Sequence, residues 1–353
     1  MFDPNELKAL PTWAERLKNS GLPVYIYGMG DGCEKVLKAF ETEGIECSGI
    51  FVSDDFKRDK VFRSFRLLGM TELEQSGTEF AVACGFGTSL PEIMERIDGL
   101  AERHLLVYPD TAVIGEGYSR KDELIERIDD IKKVFGLLAD DTSRETFANV
   151  LKFKISGDIR YLSNWSDTDE VYRLLELSDH EIYADLGAYT GDTVECFLRY
   201  TGGKYRKIYA VEPSRKNFAK CAKKCMPLDN MVLVNAAASD RDGTAFFSNG
   251  AGRQQSLSHT GTPVALRSLD SILAGGECTF IKYDVEGADA PALIGSKGTI
   301  TKYCPKIRTG IYHRPYDILD IPLLVHKMQP NYRLYMRRQR YYPAWDLELI
   351  AKT

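Results

Sequence analysis

The stretch that decides the reading of this chain is Glu181-Ile182-Tyr183-Ala184-Asp185-Leu186-Gly187-Ala188-Tyr189-Thr190-Gly191-Asp192-Thr193-Val194-Glu195-Cys196-Phe197. Apolar residues up to Leu186, two glycines and then Asp192-Thr193 ahead of an amphipathic run predict a buried strand, a tight turn and a capped helix, the opening of a nucleotide-binding α/β unit. Gly187 and Gly191 let another molecule approach the backbone, and the new helix turns its free N–H groups toward the crevice.

Charge narrows the choice of cofactor. Asp185 and Asp192, at the two ends of the turn, would repel the pyrophosphate of a dinucleotide. S-adenosylmethionine has no phosphate, and its amino and sulfonium groups are cationic, so the turn predicts this cofactor. The competing reading is a turn whose aspartate only caps a helix.

Outward from that turn, Lys207-Ile208-Tyr209-Ala210-Val211-Glu212-Pro213 reads as a second parallel strand, with Glu212 placed to accept two ribose hydroxyls and Pro213 ending the strand. Met231 to Ala237 reads as a third, whose small Ala236 and Ala237 leave room for an adenine. Asp242-Gly243 predicts a hairpin into Thr244–Phe247. Phe280-Ile281-Lys282-Tyr283-Asp284-Val285-Glu286-Gly287 is a fourth strand, and Lys306–Ile311, Tyr332–Met336 and Leu347–Ala351 supply three more. The fold class expected is therefore α/β, with a seven-stranded class I methyltransferase sheet in this half and its last strand antiparallel.

The first half repeats the theme. Pro23 to Tyr27 leads into Gly28-Met29-Gly30-Asp31-Gly32, a helix follows, and Gly49–Val52, Phe80–Cys84 and Leu105–Tyr108 read as further strands of a second Rossmann-like domain. Leu7, Leu10, Trp13 and Leu17 form an amphipathic lead-in. The stripe Leu124, Ile128, Ile131, Val134, Phe135 and Leu138 is helical. The expected division is a Rossmann-like domain at 1–115, a packed helical connector at 116–170 and the cofactor domain at 171–353.

Composition sets bounds. The 353 residues carry a net charge of −5 with no basic patch, which argues against nucleic acid as the main partner. No apolar run reaches membrane-spanning length and the N-terminus lacks signal-peptide character, so a cytoplasmic protein is expected. The eight cysteines are scattered, as for buried reduced thiols. Cys221 and Cys225 share a helix face without the further ligands of a zinc site.

Taken together, Asp185 to Thr193, Val211-Glu212-Pro213, Ser268-Leu269-Asp270 and Ile281 to Asp289 resemble the successive motifs of the FkbM family of S-adenosylmethionine-dependent methyltransferases. Tyr312-His313-Arg314-Pro315 with Asp317 and Pro322, followed by Tyr332 to Arg337, resembles that family's C-terminal segment. Leu138 to Ser143 and Asn149 to Phe153 resemble the connector of members that carry an N-terminal Rossmann-like domain. Tyr283 departs from the smaller or aliphatic residue common at its position.

The resemblance implies methyl transfer, commonly to a hydroxyl of a sugar or secondary metabolite. It implies that Asp185, Gly187 and Gly191 shape the methionine side of the cofactor pocket, that Glu212 holds the ribose, and that Asp284 lies nearest the reacting centre. The cofactor candidates are Asp185, Gly187, Ala188, Gly191, Asp192, Thr193, Glu212, Pro213, Ala236 and Ala237.

An alcohol acceptor must lose a proton, and Asp284, Glu286 and His313 are the candidate bases. His313 follows the fifth strand, where a neutral imidazole could take that proton; otherwise it only hydrogen-bonds Asp317 or the backbone. Asp284 and Glu286 lack an evident third ligand, so no metal is expected. Arg314, Arg337 and Arg338 either line an anionic acceptor site or form a solvated face. The partner expected is a small-molecule or glycan acceptor. Two other readings are an NAD-dependent or nucleotide-sugar-binding enzyme that uses the first domain, and a non-catalytic cofactor-binding scaffold.

Overall fold

Pro11 interrupts the N-terminal apolar stripe, and the lead-in is accordingly two helices, Glu6–Ala9 and Trp13–Ser20, the second opened by a Thr12/Glu15 capping box. The computed structural model describes residues 2–58, 61–247, 257–258 and 262–353. They divide into two compact units, one comprising the chain up to Phe135 with Arg144–Trp165 and Arg338–Asp346, the other Gly136–Ser143, Ser166–Arg337 and Leu347–Thr353.

In the first unit, β1 (Val24–Tyr27), β2 (Cys47–Val52), β3 (Val61–Phe62), β4 (Phe65–Gly69), β5 (Ala81–Cys84) and β6 (Leu105–Val107) form a sheet in the order β3-β4-β2-β1-β5-β6. All its pairings are parallel except β3 with β4. Trp13, Phe40, Ile50 and Val107 belong to its core. The short strands β3 and β4 were not anticipated. They turn at Arg63-Ser64, and too few of their residues are buried to leave an alternating pattern.

Aromatic rings stand against two glycines that follow strands of this first sheet, while Gly30 stays open. A Cβ on Gly28 would stand 2.5 Å from the Phe86 ring, and one on Gly87 2.2 Å from the Trp345 indole. Thr88 exchanges two backbone hydrogen bonds with Tyr342, at 2.7 and 2.9 Å, and the Tyr342 hydroxyl donates to Asp98 at 2.8 Å. The helices Lys121–Glu126, Ile128–Leu137 and Asp141–Ser156 occupy the span read as a connector.

In the second unit, β7 (Ile182–Leu186), β8 (Lys207–Val211) and β9 (Met231–Val234) are followed by β10 (Ala237–Ala238), β11 (Gly243–Phe247), β12 (Leu257–Ser258) and β13 (Thr262–Arg267). The chain then supplies β14 (Phe280–Tyr283), β15 (Lys306–Gly310), β16 (Arg333–Arg338) and β17 (Leu347–Lys352). The main sheet has seven strands, as expected, in the order β16-β17-β15-β14-β7-β8-β9. β17 runs antiparallel to β15, while β7, β8, β9, β14 and β15 pair in parallel. The order reverses between β7 and β14, which is where an open sheet of this kind leaves a crevice at its carboxyl edge.

Two expectations change here. The third strand ends at Val234, because Ala236 N–H turns back to the Val234 carbonyl, and Ala237 instead pairs with Leu266 in a small sheet of order β10-β13-β11-β12. Residues Thr244–Phe247 are extended, but their partners are β13 and β12, not a strand across Asp242-Gly243. Among the described residues, no helix is long and apolar enough to cross a membrane.

Candidate active site

Parallel pairing sets Lys282 of β14 opposite Asp185 of β7, so two ionisable side chains share the interior at the end of the central strands. Asp185 is fully buried, with one oxygen 3.2 Å from the Lys282 ammonium and the other accepting the Thr193 hydroxyl. Lys282 also donates to the Gly187 carbonyl at 2.9 Å and lies 3.8 Å from Asp284 Oδ2. Burial alone would lower the Lys282 pKa, but the charges of Asp185 and then Asp284 outweigh it and leave it raised, so the ammonium keeps its proton. Asp185 is thus no bare carboxylate. It holds the turn from below, directly through Thr193 and indirectly through Lys282.

The turn itself is tightly constrained. Gly187 has φ +86°, and a Cβ there would stand 1.9 Å from the Asp284 carbonyl oxygen. Gly187 and Ala188 both donate to the Val211 carbonyl, at 2.9 and 3.0 Å, which ties the turn to the end of β8. A Cβ on Gly191 would meet Cys225 Sγ at 3.1 Å, so the buried pair Cys221 and Cys225 packs beneath the start of the helix Asp192–Tyr200. Asp192 is exposed at that helix start and Thr193 half-buried. Tyr189 takes the left-handed conformation, φ 46°, while 55% exposed. A bulky residue held in that region at a sheet edge marks a place where the local backbone is dictated by something other than its own preference.

At the end of β8, Glu212 accepts the Tyr189 amide at 3.0 Å with one oxygen and the Ser214 amide at 2.9 Å with the other. Burial pushes its pKa up, against these two N–H donors. Asn235 donates to the Glu212 and Pro213 carbonyls, at 2.8 and 3.1 Å, and so fixes the loop that presents Glu212 and the half-buried Pro213. Ala236 and Ala237 are both buried, the latter in the small sheet beside Val264 and Leu266.

A second group gathers after β14 and β15. His313 is 1% exposed; its Nδ1 is 3.0 Å from Asp289 Oδ2, while Nε2 lies 3.7 Å from Asp284 Oδ1 and 3.9 Å from Glu286 Oε2. Glu286 is in the left-handed region, φ 50°, the second non-glycine residue of this edge held there. Burial would lower the His313 pKa, but Asp289 foremost, then Asp284 and Glu286, raise it to about 9. Asp317 is raised to about 6 by burial and by Asp289, and accepts the Arg314 amide at 2.9 Å. Asp289, His313 and Asp317 place ligand-type atoms within 4.8 Å of one another, all three residues buried.

The structure therefore brings the three candidate bases together, and gives His313 a partner, Asp289, in place of the Asp317 or backbone of the alternative reading. It does not bring the arginines to them as a set. Arg314 is exposed and its Nε donates to the Gly287 carbonyl at 2.9 Å. Arg337 is buried against Asp140 at 2.6 Å and Glu170 at 2.5 Å. Arg338 is buried, its guanidinium donating to the carbonyls of Leu162, Asn164, Gln339 and Tyr341, and burial pushes it down to about 10. Neither of these two lines an acceptor site or a solvated face; both fasten backbone and helices from within. Lys282 and Asn235 were not singled out in the sequence. The signal for Lys282 was a charged residue inside an apolar strand; Asn235 left none.

A family model for the methyltransferase FkbM domain matches residues 185–342. The 2-O-methyltransferase NoeI of Sinorhizobium fredii (strain NBRC 101917 / NGR234) is 29% identical over 158 residues, which is 38% of this chain and 64% of that protein. The match thus spans less than two thirds of the curated relative. The crystal structure of methyltransferase FkbM from Methylobacillus flagellatus KT superposes with a TM-score of 0.73 at 18% identity, covering 99% of this chain and 100% of that one. At that identity the likeness is one of fold.

Proposed function

Residues 185–342 carry a methyltransferase FkbM domain, and from that premise we propose that the chain is an S-adenosylmethionine-dependent O-methyltransferase acting on a hydroxyl of a sugar, glycan or secondary metabolite. The observation that carries the reading is the carboxylate-rich edge of the sheet: Glu212 presented by two amides after β8, Asp284 and Glu286 after β14, and the nearby lysine spent on Asp185. Such an edge suits a cationic cofactor with a ribose and disfavours a phosphate. The relative NoeI is a 2-O-methyltransferase by name, which supports oxygen as the atom methylated.

When bound, the cofactor supplies an activated methyl group on a sulfonium. What remains for the protein is orientation, exclusion of water and disposal of the acceptor's proton. Glu212 would hold the ribose hydroxyls; Gly187, Ala188 and Gly191 would let the methionine end lie on the backbone, with Asp185 and Thr193 bracing that turn from inside and Asp192 facing the cofactor's cation. Ala236 and Ala237 would border the adenine. Asp284 and Glu286, which are partly exposed, would meet the acceptor, with the enclosed His313 beside them.

Isothermal titration calorimetry with S-adenosylhomocysteine tests the cofactor. Transfer of a radiolabelled methyl group to a panel of sugars, oligosaccharides and phenols tests the reaction. Binding in the micromolar range with label in at least one hydroxyl acceptor supports the proposal; no heat of binding overturns it.

A further inference from the structure

His313 is almost completely enclosed, yet charged or titratable side chains face it from three elements: Asp289 at the start of the helix Asp289–Ile294, Asp284 and Glu286 from the loop after β14, and Asp317 with Arg314 at the start of the helix Asp317–Met328. Lys282 lies 3.8 Å from Asp284 on the far side. Asp289 Oδ2 is 3.0 Å from Nδ1, and its Oδ1 is buried without a hydrogen-bond partner, so the ring is the contact through which this enclosed carboxylate is compensated. The other ring nitrogen, Nε2, faces carboxylate oxygens at 3.7 and 3.9 Å.

This geometry decides the protons. If Asp289 takes the Nδ1 hydrogen and the ring were neutral, Nε2 would turn a lone pair toward two carboxylates. If Nε2 kept the hydrogen, Nδ1 would turn its lone pair toward Asp289. Only a ring protonated on both nitrogens meets acceptors on both sides.

We propose that Asp289 is a positioning residue that fixes the His313 ring with Nε2–H directed at Asp284 and Glu286, and that these two carboxylates, not the imidazole, receive the proton of the acceptor hydroxyl. The raised His313 pKa agrees with this, Asp289 being its largest favourable contribution. An imidazolium has no lone pair with which to act as base, whereas Asp284 and Glu286 are respectively 48% and 35% exposed. As the acceptor oxygen forms its bond to the methyl carbon, its O–H bond breaks and the proton passes to a carboxylate oxygen; the electron pair of the breaking C–S bond stays on sulfur. The role of Asp284 and Glu286 rests on the methyltransferase reading, whereas the Asp289–His313 relation does not.

The test is long-range 1H–15N correlation NMR of the imidazole nitrogens. The chain has five histidines, and His313 is assigned from the resonance lost in His313→Asn. In the wild type both His313 nitrogens stay protonated through pH 7.5. Asp289→Asn lowers the ring's proton affinity by about tenfold or more, and Asp289→Glu restores part of it. A neutral His313 at pH 7 in the wild type overturns the proposal, as does a titration unmoved in a folded Asp289→Asn protein. Should that variant not fold, the wild-type titration decides the matter alone. S-adenosylhomocysteine calorimetry on the same wild-type sample separates this outcome from failure of the cofactor assignment.

Discussion

Lys282 and Asp185 stand in register on neighbouring parallel strands, and their charges meet at 3.2 Å in the interior, with Gly187 held by the same ammonium. Removing one partner strands the other. Lys282→Met is expected to cost about 3–5 kcal/mol in urea unfolding, and adding Asp185→Asn to recover much of it, since a buried pair is dear to break but not to replace. A single-variant cost below about 1 kcal/mol would show that water reaches the pair.

The proposed role of Glu212 is to bind the ribose through ionised oxygens. Glu212→Gln should weaken S-adenosylhomocysteine binding by about tenfold or more, which is about 1.4 kcal/mol by calorimetry. Because burial raises the Glu212 pKa, wild-type affinity should also decline as pH falls into the acid range, and the Gln variant should lack that decline. Equal affinities for the two proteins at pH 7 would remove Glu212 from the pocket.

His313 links stability to pH. Its folded pKa, about 9, lies above its ordinary value of 6.5, so its contribution is complete below about 6.5 and is lost as pH rises through about 9. Wild-type unfolding free energy should drop on the order of 2 kcal/mol more than that of His313→Asn across this window, measured by denaturant titration at fixed pH steps. Asp317, raised from 3.8 to about 6, acts in a lower window: its contribution is lost as pH rises through about 6.

Two glycines of one turn should differ in tolerance. Gly187→Ala drives a methyl group to within 1.9 Å of a backbone oxygen, whereas Gly191→Ala meets the sulfur of Cys225 at 3.1 Å. Both carry left-handed strain of about 1 kcal/mol or more. Only the first also forces apart β7 and β14, so circular dichroism should show Gly187→Ala largely unfolded and Gly191→Ala folded with a reduced Tm.

In the first sheet the Phe86 ring lies against Gly28 and the Trp345 indole against Gly87, although Gly30 of the turn after β1 stays open. NAD and nucleotide-sugars are expected to leave the Tm unchanged, while S-adenosylhomocysteine raises it. A Tm rise with NAD alone would return the function to the first unit.

Strands with mostly buried residues were legible as apolar runs, which is why β1, β7, β8 and β14, and the glycine turns after β1 and β7, could be placed from residue order. Pairings between strands distant in sequence were not. Nothing local in Ile281-Lys282-Tyr283 says that Asp185 will lie opposite, and nothing near His313 says that a residue 24 positions earlier will take its Nδ1 hydrogen. Asp317, four residues on, is nearer in sequence, but its carboxylate accepts the Arg314 amide instead. Arg337 and Arg338 misled for a related reason: charged residues are rarely enclosed, and the ion pairs and carbonyls that permit it here come from residues 140–170 and from the following loop.

The nine residues Arg338–Asp346 leave β16, join the first unit and return as β17. Modular exchange is thereby constrained. A gene fragment starting at Ser166 would encode Tyr341, Tyr342 and Trp345 without the Gly87, Thr88 and Asp98 that cover them, and would bare an adhesive aromatic patch. Recombination that grafts a new N-terminal half onto the second unit must carry the loop across as well.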